Sequence, residues 1–443
     1  MDVDLLKTLA TIACEAAISG GAEFADVGAW NTRSLAVDIR ANTIKSCDAS
    51  RHAAISVRAI YRGGTGWSST DKMDEDSAIE AGKKAAALAK LAEPDPDFIS
   101  LVAPAENYAE VPGLADPAIE TMDIRSIIKY AIENIDSALE VSSEAIVEGG
   151  FSAQYNASAI VNSLGVSLGN ESSCIGGYTM VVIRRGDDVG SFYDFDSARV
   201  LEDFAPDGIG ARAAQKALKF LGARKIETQR MPIILGPMAA SSVFNSIVLN
   251  ADAEDVQRGR SFMAGKVGEK IASDIITITD DPLIPRGLAS RPWDSEGAPS
   301  KPLIVVENGI LKTYLYSSYT AGKAKVAVTG HGTRSGNAVP SNIVPKLGSM
   351  TSEEIIRSTK RGLYIDIGGI APNSTTGDVS RTVDFGFVIE NGELAYPVAS
   401  TMIGGNFLDM LRNVDAISSD YREEPGTIMP TIRIQDVLVA GGR

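Results

Sequence analysis

Apolar residues recur at helical spacing from about Leu5 to Ser19, and Gly20-Gly21 ends the run. The pattern then changes period. Ala36-Val37-Asp38-Ile39-Arg40 alternates as a half-buried strand does, Asn42 supplies a turn, and Ala53 to Tyr61 alternates again until Arg62-Gly63-Gly64-Thr65-Gly66 breaks it. This predicts an antiparallel meander. The glycine cluster has strand patterns on both sides and lacks a G-K-[ST] ending, so it reads as a hairpin turn and not as a phosphate loop. Asp74 to Leu91 is Ala- and Lys-rich with periodic apolar positions, which predicts a long helix ending at Glu93-Pro94-Asp95-Pro96. From there to Pro117 the Pro, Asp and Ala content marks a linker or long loop.

A second helix is expected over Asp123 to Leu139. Four strand-like segments follow between Ser142 and Phe195, with turns at Leu164-Gly165 and Arg185-Gly186-Asp187-Asp188, and then a helix over Leu201 to Leu221. After Met231 short strands with Gly, Pro and Thr dominate. Leu303 to Leu311 and Phe387 to Leu394 each place Glu-Asn-Gly between apolar runs. Asn-Gly suits a two-residue type I′ turn, in which both central residues take positive φ. Two hairpins of one kind fit either weak internal symmetry or convergent turn chemistry. The expected fold is α+β: helix-flanked antiparallel sheets in the N-terminal half and a β-rich C-terminal domain. The expected division is 1–110, 111–225 and 226–443.

Length supports this division, because 443 residues exceed one ordinary domain. No apolar run reaches the roughly 18–20 residues of a membrane span, and the acidic start Met1-Asp2-Val3-Asp4 lacks the basic region of a secretory signal. Cys14, Cys47 and Cys174 are too scattered for a disulfide framework or a zinc knuckle, and a reduced cytoplasm is the expected compartment. The formal charge of −15 argues against nucleic acid as a bulk partner. Arg258, Arg260, Lys266 and Lys270 form the nearest thing to a basic patch, and solvated surface charge explains them equally well.

Candidate chemistry is limited by histidine. His52 and His331 are the only two, and one loop histidine cannot build the usual multi-ligand zinc site. His331, within Thr329-Gly330-His331-Gly332-Thr333-Arg334-Ser335-Gly336-Asn337, could approach a ligand closely, but no G-x-S-x-G elbow supports a serine triad. Cys174 reads as a buried structural thiol. Arg291-Pro292-Trp293-Asp294-Ser295-Glu296-Gly297 sets Asp294 and Glu296 two apart. In an extended segment both would face one side, for acid/base work or a cation, with a salt-bridged turn as the alternative. Thr376-Gly377-Asp378-Val379-Ser380-Arg381 is a turn or the lining of a peptide groove.

The stretch Gln257 to Ser273, Q-R-G-R-S-F-M-A-G-K-V-G-E-K-I-A-S, resembles the core motif of the TldD/PmbA family, whose active members are metallopeptidases. Asp294 to Gly297 with the Glu307-Asn308-Gly309 hairpin, Gly377 to Arg381, and Ala25-Asp26-Val27 through Gly66-Trp67 fit the same family. The resemblance implies a helical H-E-x-x-x-H just upstream. Counted back from Arg258-Gly259 and Ser261, its positions fall on Phe244, Asn245 and Leu249. A C-terminal cysteine ligand is also implied, yet no cysteine follows Cys174. The chain thus resembles the metal-free TldE/PmbA subtype. That implies no cofactor here, zinc in a TldD-like catalytic partner, a two-subunit assembly that degrades unfolded or short peptides, and a homodimer when alone, with its main contact in the β-rich half. Asp294, Glu296, His331, Asp378 and Arg381 become peptide-groove or structural residues. The family's older name refers to DNA gyrase, but this composition offers no support for direct DNA binding. An autonomous peptide-binding or scaffolding homodimer, and a hydrolase of unfamiliar carboxylate chemistry, are the alternatives.

Overall fold

A computed structural model describes residues 2–424 and 426–442. Helix α1 (Val3–Ser19) begins where the Asp2 carboxylate accepts the Leu5 N–H at 2.9 Å and ends at Gly20-Gly21, with Gly21 at φ 94°. Three strands follow, β1 (Phe24–Arg40), β2 (Thr43–Tyr61) and β3 (Gly64–Thr70); β1 and β2 run well beyond their alternating segments, and β3 begins inside the glycine cluster expected to be only a turn. Helix α2 (Glu75–Leu91) is capped by Asp74. Its Ala78, Ala81, Ala85 and Ala89 face is buried against α1, and Gly82 lets the two backbones meet, because a Cβ there would strike the Ala13 carbonyl.

After the short α3 (Pro117–Glu120) comes α4 (Ile124–Val141), capped by Asp123, and then β4 (Ile146–Asn162), β5 (Ser167–Arg185) and β6 (Asp188–Ala198). The structure has three long strands here, not four: glycines inside β4 and β5 are accommodated without ending the strands. The helix expected over 201–221 is also shorter. Pro206 and Gly208, the latter at φ 75°, interrupt it, and α5 (Ile209–Lys219) starts only after them. All six strands form one antiparallel sheet in the order β3-β2-β1-β4-β5-β6. Strands from before residue 110 and after 111 are therefore joined, with Asp26 opposite Asn162 and Ile39 opposite Gly149.

Because side chains alternate across a strand, β1 sends Val27, Ala29, Leu35 and Val37 to the helix-covered face, where they are buried. Asp26, Gly28, Trp30, Thr32 and Ser34 take the other face. That face is polar, and it turns toward the C-terminal half.

The C-terminal half opens with β7 (Gln229–Leu235), α6 (Pro237–Leu249) and α7 (Ala253–Gln257). A four-stranded sheet, order β10-β9-β8-β11, comprises β8 (Ile278–Asp281), β9 (Leu303–Glu307), β10 (Ile310–Leu311) and β11 (Asn342–Pro345), with α8 (Ser318–Ala324) before β11. After α9 (Ser352–Arg357) come β12 (Arg361–Ile367), β13 (Asp378–Thr382), β14 (Phe385–Glu390), β15 (Glu393–Pro397) and β16 (Met402–Asn406), then α10 (Phe407–Arg412), β17 (Val414–Glu424) and β18 (Thr427–Ala440). These strands and β7 form an eight-stranded sheet, order β13-β16-β18-β7-β12-β14-β15 with β17 on β18. Both Asn-Gly turns have the expected geometry: φ is 48° and 76° at Asn308 and Gly309, and 53° and 83° at Asn391 and Gly392. They lie in different sheets, which favours convergent turn chemistry over symmetry.

Candidate functional site

Two groups of residues matter. The first surrounds α6. Gly236-Pro237 starts this helix with proline at its first turn, and β7, fully buried at Ile233, Ile234 and Leu235, delivers it to the core. Phe244 is 3% exposed and Val248, one turn on, is 0%; Asn245 is half-buried and Leu249 is 54% exposed. The three positions thus present a core ring, an amide and a solvent-facing aliphatic. None is an imidazole, thiolate or carboxylate. Among the described residues no group of three or more His, Cys, Asp or Glu is placed to hold a metal ion. The residues at this helix do not fit a zinc site. Ser242 Oγ accepts the Ile370 N–H at 2.8 Å, and Ser261 Oγ donates to the Asn250 carbonyl at 2.5 Å, so the 257–263 segment and the 370–378 loop both pack beside the helix.

Asp378 and Arg381 belong here, but they sit on the edge strand β13 and are exposed. Arg381 Nε donates to the Ala371 carbonyl at 2.9 Å and shapes the loop.

The second group lies between the polar face of the six-stranded sheet and the C-terminal loops. Asp294 and Glu296 are buried, and they do not form the extended pair that their spacing suggests. Gly297 at φ 85° closes a turn, and Asp294 organises it. Its Oδ1 accepts the Glu296 and Ala298 N–H groups at 2.9 Å each, and its Oδ2 accepts the Gly332 N–H at 2.7 Å. Glu296 points elsewhere, accepting from Ser318 N at 2.7 Å and from Ser318 Oγ at 2.5 Å, with Arg58 Nη2 at 3.9 Å. His331, 1% exposed, faces inward. Its Nε2 lies 3.0 Å from Asp280 Oδ1 and its Nδ1 3.1 Å from Thr329 Oγ1, an arrangement that locks the loop rather than serving a ligand. Cys174 lies mid-strand in β5 and is partly buried; burial raises its thiol pKa.

Sequence reasoning missed the charged centre of this group. Asp26 on β1 is 3% exposed and is gripped by two guanidinium groups. Arg58, on β2, donates through Nε at 2.7 Å and also through Nη2; Arg334 donates through Nε at 2.5 Å. Arg334 also reaches the carbonyls of Asp26 and Ser56, and Arg58 Nη1 donates to the Arg334 carbonyl. Both guanidinium groups lie over Trp67, 5.7 and 5.0 Å from its ring centre. A charged residue inside each apolar run, F-A-D-V-G-A and I-S-V-R-A-I, was the available signal.

Arg334 separates two clefts. One, of about 350 Å³, is lined by Gly28, Trp30, Ser158, Arg291, Trp293 and Arg334, among others. The other, of about 320 Å³, is lined by Arg58, Trp67, Phe98, Arg258, Tyr319 and Arg334 among others, which brings the residues after α7 to the same place.

Burial, reinforced by nearby Asp294, raises the Glu296 pKa to about 7 against the opposing Ser318 bonds and Arg58; burial likewise raises Asp252 to about 6. A carboxyl whose folded pKa exceeds its unfolded value of about 4.3 favours folding while protonated. Its contribution is therefore lost as pH rises from about 4.3 to about 7. Glu296→Gln keeps both Ser318 contacts possible. It should reduce this decline and raise stability at pH 8 by about 1–3 kcal/mol, leaving the components of Asp294, Asp252 and Glu424, which burial also raises. Urea midpoints at pH 5 and pH 8 check this; an unchanged pH slope would contradict it.

Residues 25–89 match the PmbA/TldA metallopeptidase domain 1, residues 117–221 its central domain and residues 228–441 its C-terminal domain. The Metalloprotease PmbA homolog of Haemophilus influenzae is 28% identical over 98% of this chain and 96% of its own length. Metalloprotease PmbA of Escherichia coli O157:H7 is 27% identical over 99% and 96%. The crystal structure of TldE from Thermococcus kodakarensis superposes with a TM-score of 0.89 at 27% identity, covering 99% of this chain and 100% of that one.

Proposed function

We propose, for a chain that belongs to the PmbA/TldD family, that it is the non-catalytic, TldE-like subunit of a two-chain metalloprotease. Its partner is a TldD-like chain that supplies zinc and the general base, and the assembly degrades unfolded or short peptides. The observation that carries this reading is the chemistry of α6. A peptidase metal site needs lone-pair donors and a base, and the aligned positions hold Phe244, Asn245 and Leu249, with the first committed to the core. The likeness to a solved TldE supports it. No described helix is long and apolar enough to cross a membrane, and a cytoplasmic, peptide-handling role is in keeping with that and with the dispersed cysteines.

The purified chain alone should bind no stoichiometric zinc and hydrolyse no peptide. Adding a TldD-like partner should produce cleavage of unfolded peptides that a chelator abolishes. Zinc held at one per chain by protein ligands, or chelator-insensitive turnover by the chain alone, would overturn the reading. Alone, the chain should form a homodimer through its β-rich half; a monomeric mass by light scattering, independent of concentration, would contradict that.

A further inference from the structure

We infer that the 350 Å³ cleft between the sheet and the 291–295 segment binds a carboxylate carried beside an apolar or aromatic group, as at the C-terminus of a peptide. The inference rests on the peptide-handling role proposed above and names a feature of the substrate.

Unused donors are the first observation. Arg334 spends Nε and Nη2 on Asp26 and Ser56. Among the described residues its Nη1 has no acceptor, and it lies over Gly28, where a Cβ would come within 2.9 Å of it. Arg291, on the facing wall, donates through Nη1 and Nη2 to the Pro340 and Val339 carbonyls at 3.3 and 2.7 Å, and its Nε–H is buried without a partner. Leaving the buried Arg291 Nε–H unpaired is costly, and with the open Nη1 of Arg334 on the same cleft it points to an acceptor that completes both. Arginine suits a planar carboxylate in particular. The neighbouring Asp294 does not fill the role, because its oxygens already hold the N–H groups of Glu296, Ala298 and Gly332.

The walls supply the second observation. Trp30, 38% exposed, stands on the sheet, and Trp293 stands opposite, held edge-on by Tyr108 at 5.7 Å. A volume near the lower end of ordinary ligand pockets takes one amino-acid residue, not a long segment. Asp294 in the wall and Asp26 behind Arg334 oppose a multiply charged anion, which selects a single carboxylate over a phosphate.

The chain has three tryptophans. Trp30 and Trp293 line the cleft and Trp67 stacks on Arg334, so intrinsic fluorescence of the full chain reports on it. Three N-acetylated tripeptides are titrated: one ending in phenylalanine as the free acid, its C-terminal amide, and an amide carrying glutamate before the phenylalanine. Saturable quenching by the free acid, at least tenfold weaker with the simple amide, is expected. Equal or tighter binding of the glutamate amide would assign the carboxylate to an acidic side chain instead of the chain terminus. Gly28→Ala, which pushes into Nη1 from an ordinary strand position, and Trp30→Ala, at an exposed site, should each weaken binding tenfold or more with melting temperature nearly unchanged. Equal binding of acid and simple amide, no saturable binding, or unchanged binding in both variants would overturn the inference. If the chain still activates its partner in that case, only this inference fails and the proposed function stands.

Discussion

Asp26→Ala should destabilise the protein by about 3–5 kcal/mol, because removing one partner from a buried ion pair leaves the other charge unpaired. Here one carboxylate serves two guanidinium groups whose side chains are 9% and 12% exposed. After the substitution Arg58 keeps Glu296 at 3.9 Å as its nearest carboxylate, and Arg334 keeps only carbonyls. Because Arg334 comes from the C-terminal half and Asp26 from the first strand, the loss falls on the contact between halves. The urea midpoint should drop, and proteolysis should accelerate in the 220–228 connection. Asp26→Ala and Arg334→Ala should be strongly non-additive, since the double variant removes the stranded charge together with its former partner. Additive losses would mean that the two residues act independently.

The structure separates what one stretch of sequence can specify from what it cannot. Asp74 and Asp123 head periodic runs, and both prove to be caps, because capping and amphipathic spacing act within one turn of helix. The Asn-Gly turns were legible for the same reason: positive φ at two adjacent residues is a local requirement. The 201–221 region shows the limit of periodicity, since its apolar spacing continued while Pro206 and Gly208 forbade the helix. The carboxylate pair shows another limit. Alternation predicts a shared face only in an extended backbone, and Gly297 bends the chain so that Asp294 binds amides and Glu296 binds Ser318. Asp26 and Arg334 are 308 positions apart, and nothing local to either names the other. Their meeting depends on the six-stranded sheet being continuous and on which of its faces the helices leave bare.

Phe244→Ala should cost about 3–5 kcal/mol, the range for a large aromatic removed from a packed core. Leu249→Ala, on the same helix, should change stability by no more than about 0.5 kcal/mol. The contrast follows from burial. Phe244 is 3% exposed and packs in the same core cluster as Val243, Ile247 and Val248, whereas Leu249 is 54% exposed. Five residues carry the chain about 140° beyond a full turn, so the two side chains leave the helix in different directions. This bears on function. If Phe244, Asn245 and Leu249 had no structural role, substituting them would be silent; instead Phe244 is part of the C-terminal core, and an imidazole placed there would be a polar ring buried among aliphatic neighbours. Phe244→His should therefore destabilise the chain and still bind no zinc, as judged by urea midpoint and metal content of the purified variant. A loss below about 1 kcal/mol for Phe244→Ala would contradict the core role of this ring, and stoichiometric zinc in Phe244→His would show that the helix retains a metal-site geometry and would remove the main support for the non-catalytic assignment.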